Sequence, residues 1–178
     1  ASTLVDDLLV KGYSNLSVLD LSAAALSASQ SRLGAKASDV NWVVADITKA
    51  DLPAQSYDVW HDRAVFHFLT SAEDRQAYVR TVLRAVKPGG HVIVATFAED
   101  GPLQCSGLPV MRYNPDELHA EFGEPFTQPA RIVPCHGAVE LLIDEPDQSA
   151  IDAHVREVCR LDLRRRHHRN RVQHPGPR

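Results

Sequence analysis

The sequence YDVWHDRAVFHFLTSAEDRQAYVRTVLRAVKPGGHVIVATF occupies residues 57–97 and predicts, in order, a strand, a loop, a helix, a tight turn and a second strand. Residues 57–61 are rich in β-favouring side chains and run directly into the polar residues 61–63. Residues 91–97 are apolar and β-branched almost throughout, which is typical of a parallel strand covered on both faces. A buried strand that ends at charged side chains indicates a binding site at its carboxyl end.

The segment between these strands predicts one amphipathic helix. Thr70 or Ser71 can cap its first turn, because an acidic residue follows three positions later. The helix is expected to reach Lys87 and to be stopped by the turn at residues 88–90. Its apolar face consists of Val79, Val82, Leu83 and Val86.

The chain before residue 57 also alternates between helix and strand. Thr3 and Asp6 can form a capping box for a first helix, which Gly12 closes. The elements that follow are a strand, a helix and a strand at residues 17–21, 22–34 and 40–45. This alternation implies right-handed βαβ crossovers, so the predicted fold class is α/β with a doubly wound, mainly parallel sheet.

The chain after residue 97 is less regular. Residues 98–112 predict a loop rich in Gly and Pro, and a loop of this length often carries binding residues. Asn114 can cap a short helix that ends near Phe122. From residue 127 onward, we find no alternating pattern for an antiparallel strand pair that would close the edge of the sheet.

Composition favours one globular domain without a membrane span. Of the 178 residues 44% are hydrophobic, and no apolar run approaches the roughly 20 residues that a transmembrane helix needs. No basic start followed by an apolar stretch indicates a secretory signal, so a cytoplasmic location is expected. Three cysteines without CxxC spacing argue against both a disulfide framework and a metal site.

The net charge of −4 conceals an uneven distribution. Seven arginines and one acidic residue give residues 160–178 a charge of +6, whereas 12 basic and 22 acidic residues give the rest −10. The acidic body argues against nucleic acid as a partner. The basic end has three interpretations, which are a polyanion-binding arm, a solvated disordered end, or the product of a frame shift in a GC-rich gene.

Three phrases of the sequence resemble a known family. Residues 57–59, 62–69 and 83–94, in this order and spacing, are similar to the fourth strand, the following helix and the fifth strand of class I S-adenosylmethionine-dependent methyltransferases. Residues 62–67 most resemble the thiopurine and tellurite-resistance branch of that superfamily. The resemblance implies a Rossmann-like fold, S-adenosyl-L-methionine as the cofactor, and methyl transfer to a small-molecule acceptor.

The resemblance covers roughly residues 1–126 and leaves residues 127–178 as a divergent C-terminal segment, whose basic end is expected to be disordered. In the family, a first strand and a GxGxG-type loop precede the first helix, and amides of that loop hold the methionine end of the cofactor. This sequence contains no GxG, and its adjacent glycines lie in the turn at residues 88–90. We therefore expect a domain truncated before the glycine-rich loop, or one in which another segment replaces the first strand. The activity of the polypeptide by itself is in doubt.

The resemblance places the cofactor at the ends of two early strands. Asp20 matches the carboxylate that accepts both ribose hydroxyls of adenosine, and Leu21 follows it in the same site. Asp46 and Ile47 match the positions that bond the adenine amino group and pack on its ring. From the residues alone, Asp20 is also a candidate helix N-cap before Ser22, and Asp46 a candidate for an ordinary strand-end turn.

Four further side chains are candidates for the place where cofactor and acceptor meet. Asp62 suits a nearby sulfonium, and Arg63 suits an anionic acceptor, although the two could instead form a surface pair or bond neighbouring loops. His67 could act as a base at the acceptor, but a histidine within an apolar run is more often a core residue. Arg112 could contact the acceptor or be a surface charge. No residue is assigned as catalytic, and no metal is expected.

Two other functions compete with methyl transfer. The chain could be a non-catalytic fragment or pseudoenzyme that keeps only the adenosine half of the site, or an NAD(P)-binding reductase. The reductase is disfavoured because no Tyr-x-x-x-Lys pair occurs, and because the Lys-Pro-Gly-Gly turn at residues 87–90 resembles methyltransferases. The sequence does not indicate an oligomeric state.

Overall fold

The computed structural model describes the backbone of residues 3–123, 131–135 and 138–142, and the side chains of residues 3–123 apart from that of Arg63. The helices are α1 (Leu4–Val10), α2 (Ala23–Leu33), α3 (Ala72–Ala85) and α4 (Pro115–Phe122). The strands are β1 (Leu16–Asp20), β2 (Val40–Val44), β3 (Tyr57–Arg63), β4 (Val86–Phe97), β5 (Gln104–Cys105), β6 (Leu108–Pro109), β7 (Arg131–Cys135) and β8 (Ala138–Leu142). None of the described helices is both long and apolar enough to span a membrane.

Two pairs of parallel strands confirm the predicted α/β architecture. β1 pairs with β2 so that Asp20 lies opposite Val44. β3 pairs with β4 from Val59 to Arg63, which lies opposite Ala95. Within the described ranges the two pairs belong to separate sheets, because β1 pairs only with β2 and β3 only with β4.

An antiparallel pair extends the sheet of β3 and β4. β8 lies antiparallel to β4 and β7 lies beside β8, which gives the strand order β3-β4-β8-β7. The interpretation that the sequence after residue 127 contains no such pair was wrong. Its pattern is weak because Pro134 interrupts β7, and β7 accommodates a proline since it is an edge strand with a shift of register.

All four helices predicted before residue 123 form, and one of their predicted caps does not. The Ser22 hydroxyl accepts the Ala25 amide at 3.2 Å and caps α2. The Ser71 hydroxyl accepts the Asp74 amide at 3.1 Å and caps α3. The Thr3 side chain makes no cap for α1, so the predicted capping box does not form.

The junction between α3 and β4 differs from the prediction. α3 ends at Ala85 rather than Lys87, and β4 begins at once with Val86. Residues 88–90 therefore lie inside β4, at a point where its pairing with β3 is irregular. Gly90 is needed there because a Cβ atom would lie 2.9 Å from the Lys87 carbonyl oxygen.

One hydrophobic core joins the two sheets. Its largest fully buried side chains are Tyr78, Phe66, Leu118, Val82, Val92 and Val94. Leu19 of β1 and Val43 of β2 pack against the same cluster. The predicted apolar face of α3 is buried except at Leu83, which is 40% exposed. The core therefore fixes the β1–β2 pair beside the larger sheet.

Candidate functional site

The predicted polar residues lie at the carboxyl ends of parallel strands. Asp20 ends β1, and Asp46 follows β2 by two residues. Asp62 lies within β3, because that strand continues through Arg63 rather than ending at His61 as predicted. Ligands of open α/β sheets bind at this kind of edge. The structure thus places the candidates at two such edges, one in each sheet.

Asp20 combines a structural bond with an open ligand position. Its Oδ1 atom accepts the backbone N–H of Ser22 at 2.8 Å, which orders the entry into α2. Ser22 rather than Asp20 is the N-cap of that helix. The bond uses one carboxylate oxygen and leaves Oδ2 to accept hydrogen bonds from a ligand.

Two exposed aliphatic side chains flank Asp20. Leu21, which follows it, is 74% exposed, and Val44, opposite it on β2, is 58% exposed. Both side chains are candidates for apolar contact with a ligand whose hydroxyl groups bind Asp20. Sequence reasoning missed Val44, although the parallel pairing of β1 and β2 would have placed it there.

Asp46 is engaged in its own turn. Its Oδ1 atom accepts the Thr48 hydroxyl at 2.7 Å and the Thr48 amide at 3.0 Å, and Oδ2 lies 3.4 Å from the Lys49 ammonium. The Thr48 hydroxyl is the main cause that holds the pKa of Asp46 below its usual value. Ile47 is buried in the hydrophobic core. Contact of these two side chains with adenine stays a prediction.

Asp62 is buried and hydrogen-bonded by three neutral donors. The Val65 amide donates to Oδ1 at 2.9 Å, whereas the Phe66 amide and the Tyr78 hydroxyl donate to Oδ2 at 3.0 and 2.7 Å. The Tyr78 oxygen in turn accepts the Trp60 indole N–H at 3.0 Å. Asp62 is therefore not part of a surface pair. It organises the backbone after β3, and a direct contact with the cofactor stays a prediction.

Burial is the main influence on the ionisation of the Asp62 carboxyl group. It raises the pKa of Asp62 from 3.8 to about 6, against the opposing effect of the three hydrogen bonds. Burial also raises the pKa of Tyr78 well above its usual value, so the hydroxyl stays protonated and donates to Asp62. Among the side chains that the structure describes, no cation contacts the Asp62 carboxylate, which is bonded by oriented dipoles.

The backbone held by Asp62 forms a strained turn. Ala64 has a φ of +81°, in the left-handed region that disfavours residues with a Cβ atom. Ala64 is exposed and Val65 is 39% exposed, so this part of the turn faces solvent. Phe66 then enters the core and begins a short 3-10 helix. The turn therefore joins the carboxyl edge of β3 to the packed interior.

His67 is a buried core residue. It is 4% exposed, and its ring centroid lies 4.3 Å from that of Phe68 and 4.9 Å from that of Phe97. Burial lowers the pKa of His67, and the Ala95 carbonyl opposes this only in part, so the ring is neutral at neutral pH. Within the described ranges neither ring nitrogen makes a well-formed hydrogen bond. The Met111 amide donates to the His67 carbonyl at 2.8 Å and brings the loop of residues 98–112 over it.

The arginine candidates differ in what the structure shows. Arg112 donates to the backbone carbonyls of Glu99 at 2.6 Å and Gly101 at 3.2 Å, so it closes the base of the loop over residues 98–112. Its contact with an acceptor stays a prediction. The side chain of Arg63 lies outside the part of the chain that the structure describes.

Sequence reasoning missed the role of Tyr78. This residue lies beside Val79 and one turn before Val82, so the apolar stripe of α3 already indicates that it faces the core. The stripe does not indicate that its hydroxyl meets a carboxylate 16 positions earlier, because that contact depends on how α3 packs against β3.

The fold resembles solved methyltransferase structures. The 1,6-didemethyltoxoflavin-N1-methyltransferase of Burkholderia thailandensis was solved with bound 1,6-didemethyltoxoflavin and S-adenosylhomocysteine. It has a TM-score of 0.58 at 18% identity, covering 78% of this chain and 63% of that one. A second structure was solved in work on the conversion of a disulfide bond into a thioacetal group during echinomycin biosynthesis. It has a TM-score of 0.57 at 18% identity, covering 86% of this chain and 76% of that one.

A possible exported protein of Bordetella parapertussis has a TM-score of 0.57 at 14% identity, covering 73% of this chain and 53% of that one. The chain thus spans about half the length of this relative. At these identities the likeness concerns the fold. No curated protein sequence matches the chain significantly.

The sequence itself matches a family model described as a methyltransferase domain, over residues 3–94. That match contains β1 to β3, α3 and most of β4, and therefore both edges that carry the candidate residues. Because it spans just over half of the chain and agrees with the observed α/β fold, the chain belongs to the methyltransferase-domain family.

Proposed function

We propose that this domain binds the adenosine end of S-adenosylmethionine at the edge formed by β1 and β2, within an enzyme that methylates a small-molecule acceptor. The main support is the combination of groups at that edge. Asp20 offers a carboxylate oxygen, Leu21 after it in the chain is 74% exposed, and Val44 opposite it on β2 is 58% exposed.

These groups match the chemistry of adenosine. Its ribose offers two neighbouring hydroxyls, and one carboxylate oxygen with open lone pairs can accept from them. Its base has apolar faces, and covering Leu21 and Val44 with such a face removes apolar surface from water. The Ser22 amide holds the Asp20 carboxylate in place before any ligand arrives, which reduces the entropy lost on binding.

S-adenosylmethionine, when bound, supplies a methyl group on a positively charged sulfonium. The contribution of the protein is then to orient cofactor and acceptor, without a covalent intermediate. The sequence has no GxG loop whose amides would receive the methionine carboxylate, so we expect this polypeptide to hold the adenosine end and to bind the whole molecule weakly.

The acceptor is proposed only as a small molecule. The sequence of residues 62–67 resembles the thiopurine and tellurite-resistance branch, which supports a small-molecule acceptor. The acidic body of the chain does not favour nucleic acid as the acceptor. Contacts from Arg63, His67 and Arg112 stay predictions, as does a cytoplasmic location. The burial of His67 and the carbonyl bonds of Arg112 do not favour direct contact with an acceptor.

A reductase would also use a carboxylate at the end of a strand to hold ribose, so Asp20 alone does not separate the two functions. The family match over residues 3–94 favours methyl transfer. A non-catalytic domain that keeps the adenosine half of the site is the second candidate, and the absence of a GxG sequence favours it.

Calorimetric or NMR titration with S-adenosylhomocysteine tests the proposal. The Asp20→Ala variant should lose about tenfold in affinity or more, because it removes charge-assisted hydrogen bonds. The His67→Ala variant should melt at a lower temperature through lost packing and keep nearly the wild-type affinity. NADH serves as the competing ligand and should bind more weakly than S-adenosylhomocysteine.

Two results would contradict the proposal. Equal loss of affinity in both variants would mean that the ribose site is misplaced or that His67 contacts the ligand. Tighter binding of NADH than of S-adenosylhomocysteine would favour the reductase.

A further inference from the structure

We propose that Tyr78 and Trp60 are positioning residues of the ligand-binding edge, which act through Asp62 to hold residues 62–66 in one conformation. This inference rests on the proposed function, because it concerns the turn that lies where the cofactor and acceptor are expected to meet. It assigns a role to two aromatic side chains, Tyr78 of the hydrophobic core and Trp60, which packs against that core.

A continuous chain of hydrogen bonds carries the inference. It runs from the Trp60 indole N–H to the Tyr78 oxygen at 3.0 Å, and from the Tyr78 hydroxyl to Asp62 at 2.7 Å. Asp62 then accepts the amides of Val65 and Phe66 at 2.9 and 3.0 Å. Tyr78 and Asp62 are 1% and 5% exposed, so water does not compete freely for these bonds.

The turn at the end of this chain needs such support. Ala64 lies in the left-handed region at φ +81°, and a residue with a Cβ atom keeps that conformation only when its surroundings enforce it. The bonds that enforce the conformation of Ala64 come from the next two amides, those of Val65 and Phe66, which both donate to Asp62. Because Ala64 and Val65 face solvent, the turn presents backbone to a ligand at a fixed position.

Packing alone does not require the Tyr78 hydroxyl. The Tyr78 ring makes an edge contact with Trp60 at 6.1 Å and a tilted contact with Phe66 at 5.0 Å, and phenylalanine would keep both. The hydroxyl instead both donates to Asp62 and accepts from Trp60. It therefore orients the carboxylate and fixes which oxygen takes the Phe66 amide.

The test compares Tyr78→Phe with Thr81→Val in the full chain. Thr81 is a matched control, because it lies on the same helix, is 7% exposed, and uses its hydroxyl only for the Ala77 carbonyl at 3.1 Å. NMR of the Asp62 carboxyl carbon follows the titration of this group directly. Affinity for S-adenosylhomocysteine is the second measurement.

In Tyr78→Phe we expect the Asp62 titration to move to higher pH, because a bond that favours the carboxylate is lost. We also expect a loss of about fivefold in affinity for S-adenosylhomocysteine, as for one hydrogen bond of average strength. Thr81→Val should change neither, even if it melts at a lower temperature. A Tyr78→Phe protein that differs from wild type only in melting temperature would overturn the inference.

The two proposals fail separately. If wild type binds no S-adenosylhomocysteine while the Asp62 titration moves as expected, the positioning role stands and the proposed function fails. If wild type binds the ligand and Tyr78→Phe binds it equally well with an unchanged titration, the positioning role fails and the proposed function stands.

Discussion

The ionisation of Asp62 makes the stability of the protein depend on pH, because its folded-state pKa of about 6 lies above the unfolded value of 3.8. The folded protein therefore binds this proton more tightly than the unfolded chain. The resulting stabilisation is present below about pH 4 and is lost as the pH rises through about 6.

Relative to Asp62→Asn, wild type should thus lose up to about 3 kcal/mol of unfolding free energy between pH 4 and pH 7. Urea unfolding at several pH values measures this difference. Asp58→Asn is the matched control, because Asp58 lies on the same strand with a side chain that is 77% exposed, and it should follow wild type. Parallel pH profiles of wild type and Asp62→Asn would contradict the expected effect.

Single residues also show what the sequence can and cannot predict. The place of Asp20 at the end of a strand follows from local pattern, and the structure puts it there. The internal bonding of Asp62 does not follow, because its partner Tyr78 comes from another element. The bonds of Arg112 to the carbonyls of Glu99 and Gly101 also could not be predicted from the sequence, because they depend on how a long loop closes.

At the scale of elements, the turn between β3 and α3 links stability to binding. Ala64→Gly should raise the free energy of unfolding by up to about 1 kcal/mol, because glycine adopts a positive φ without strain. The same change frees the turn, so affinity for S-adenosylhomocysteine should fall by about threefold. Thermal unfolding and ligand titration on one sample measure both effects.

Gln55→Gly provides the control at the other end of β3. Gln55 also has a positive φ, of +47°, but it lies before the strand and its amide bonds the Arg84 carbonyl. This variant should gain stability without any change in affinity. A loss of affinity in both variants, or in neither, would contradict a special role for the turn at residues 62–66.

Elements were predicted well where periodicity and caps agree. α2 and α4 begin at the predicted caps Ser22 and Asn114, and α3 begins at Ser71, one of its two predicted caps. The pair β7 and β8 was not predicted, because a proline inside a short edge strand removes the alternating signal. The extension of β4 back to Val86 was also missed, since local rules treat Pro and Gly as a stop.

For the whole molecule, the arrangement of the two sheets matters most. In the described ranges, β1 has one unpaired edge and β3 has another, while side chains from both sheets share one core. The surface proposed for adenosine lies on the smaller sheet and the strained turn on the larger one, and side chains of both sheets pack in one core.

The central claim is that these two edges together form the ligand site of a methyltransferase domain. The most direct test is a map of backbone amide shifts for the full chain during titration with S-adenosylhomocysteine. We predict that the largest changes occur at Asp20, Leu21 and Val44, with smaller ones at residues 62–66. In Asp20→Ala, the changes at Leu21 and Val44 should need about tenfold more ligand or more. Changes confined to other parts of the chain, or none at millimolar ligand, would contradict the account.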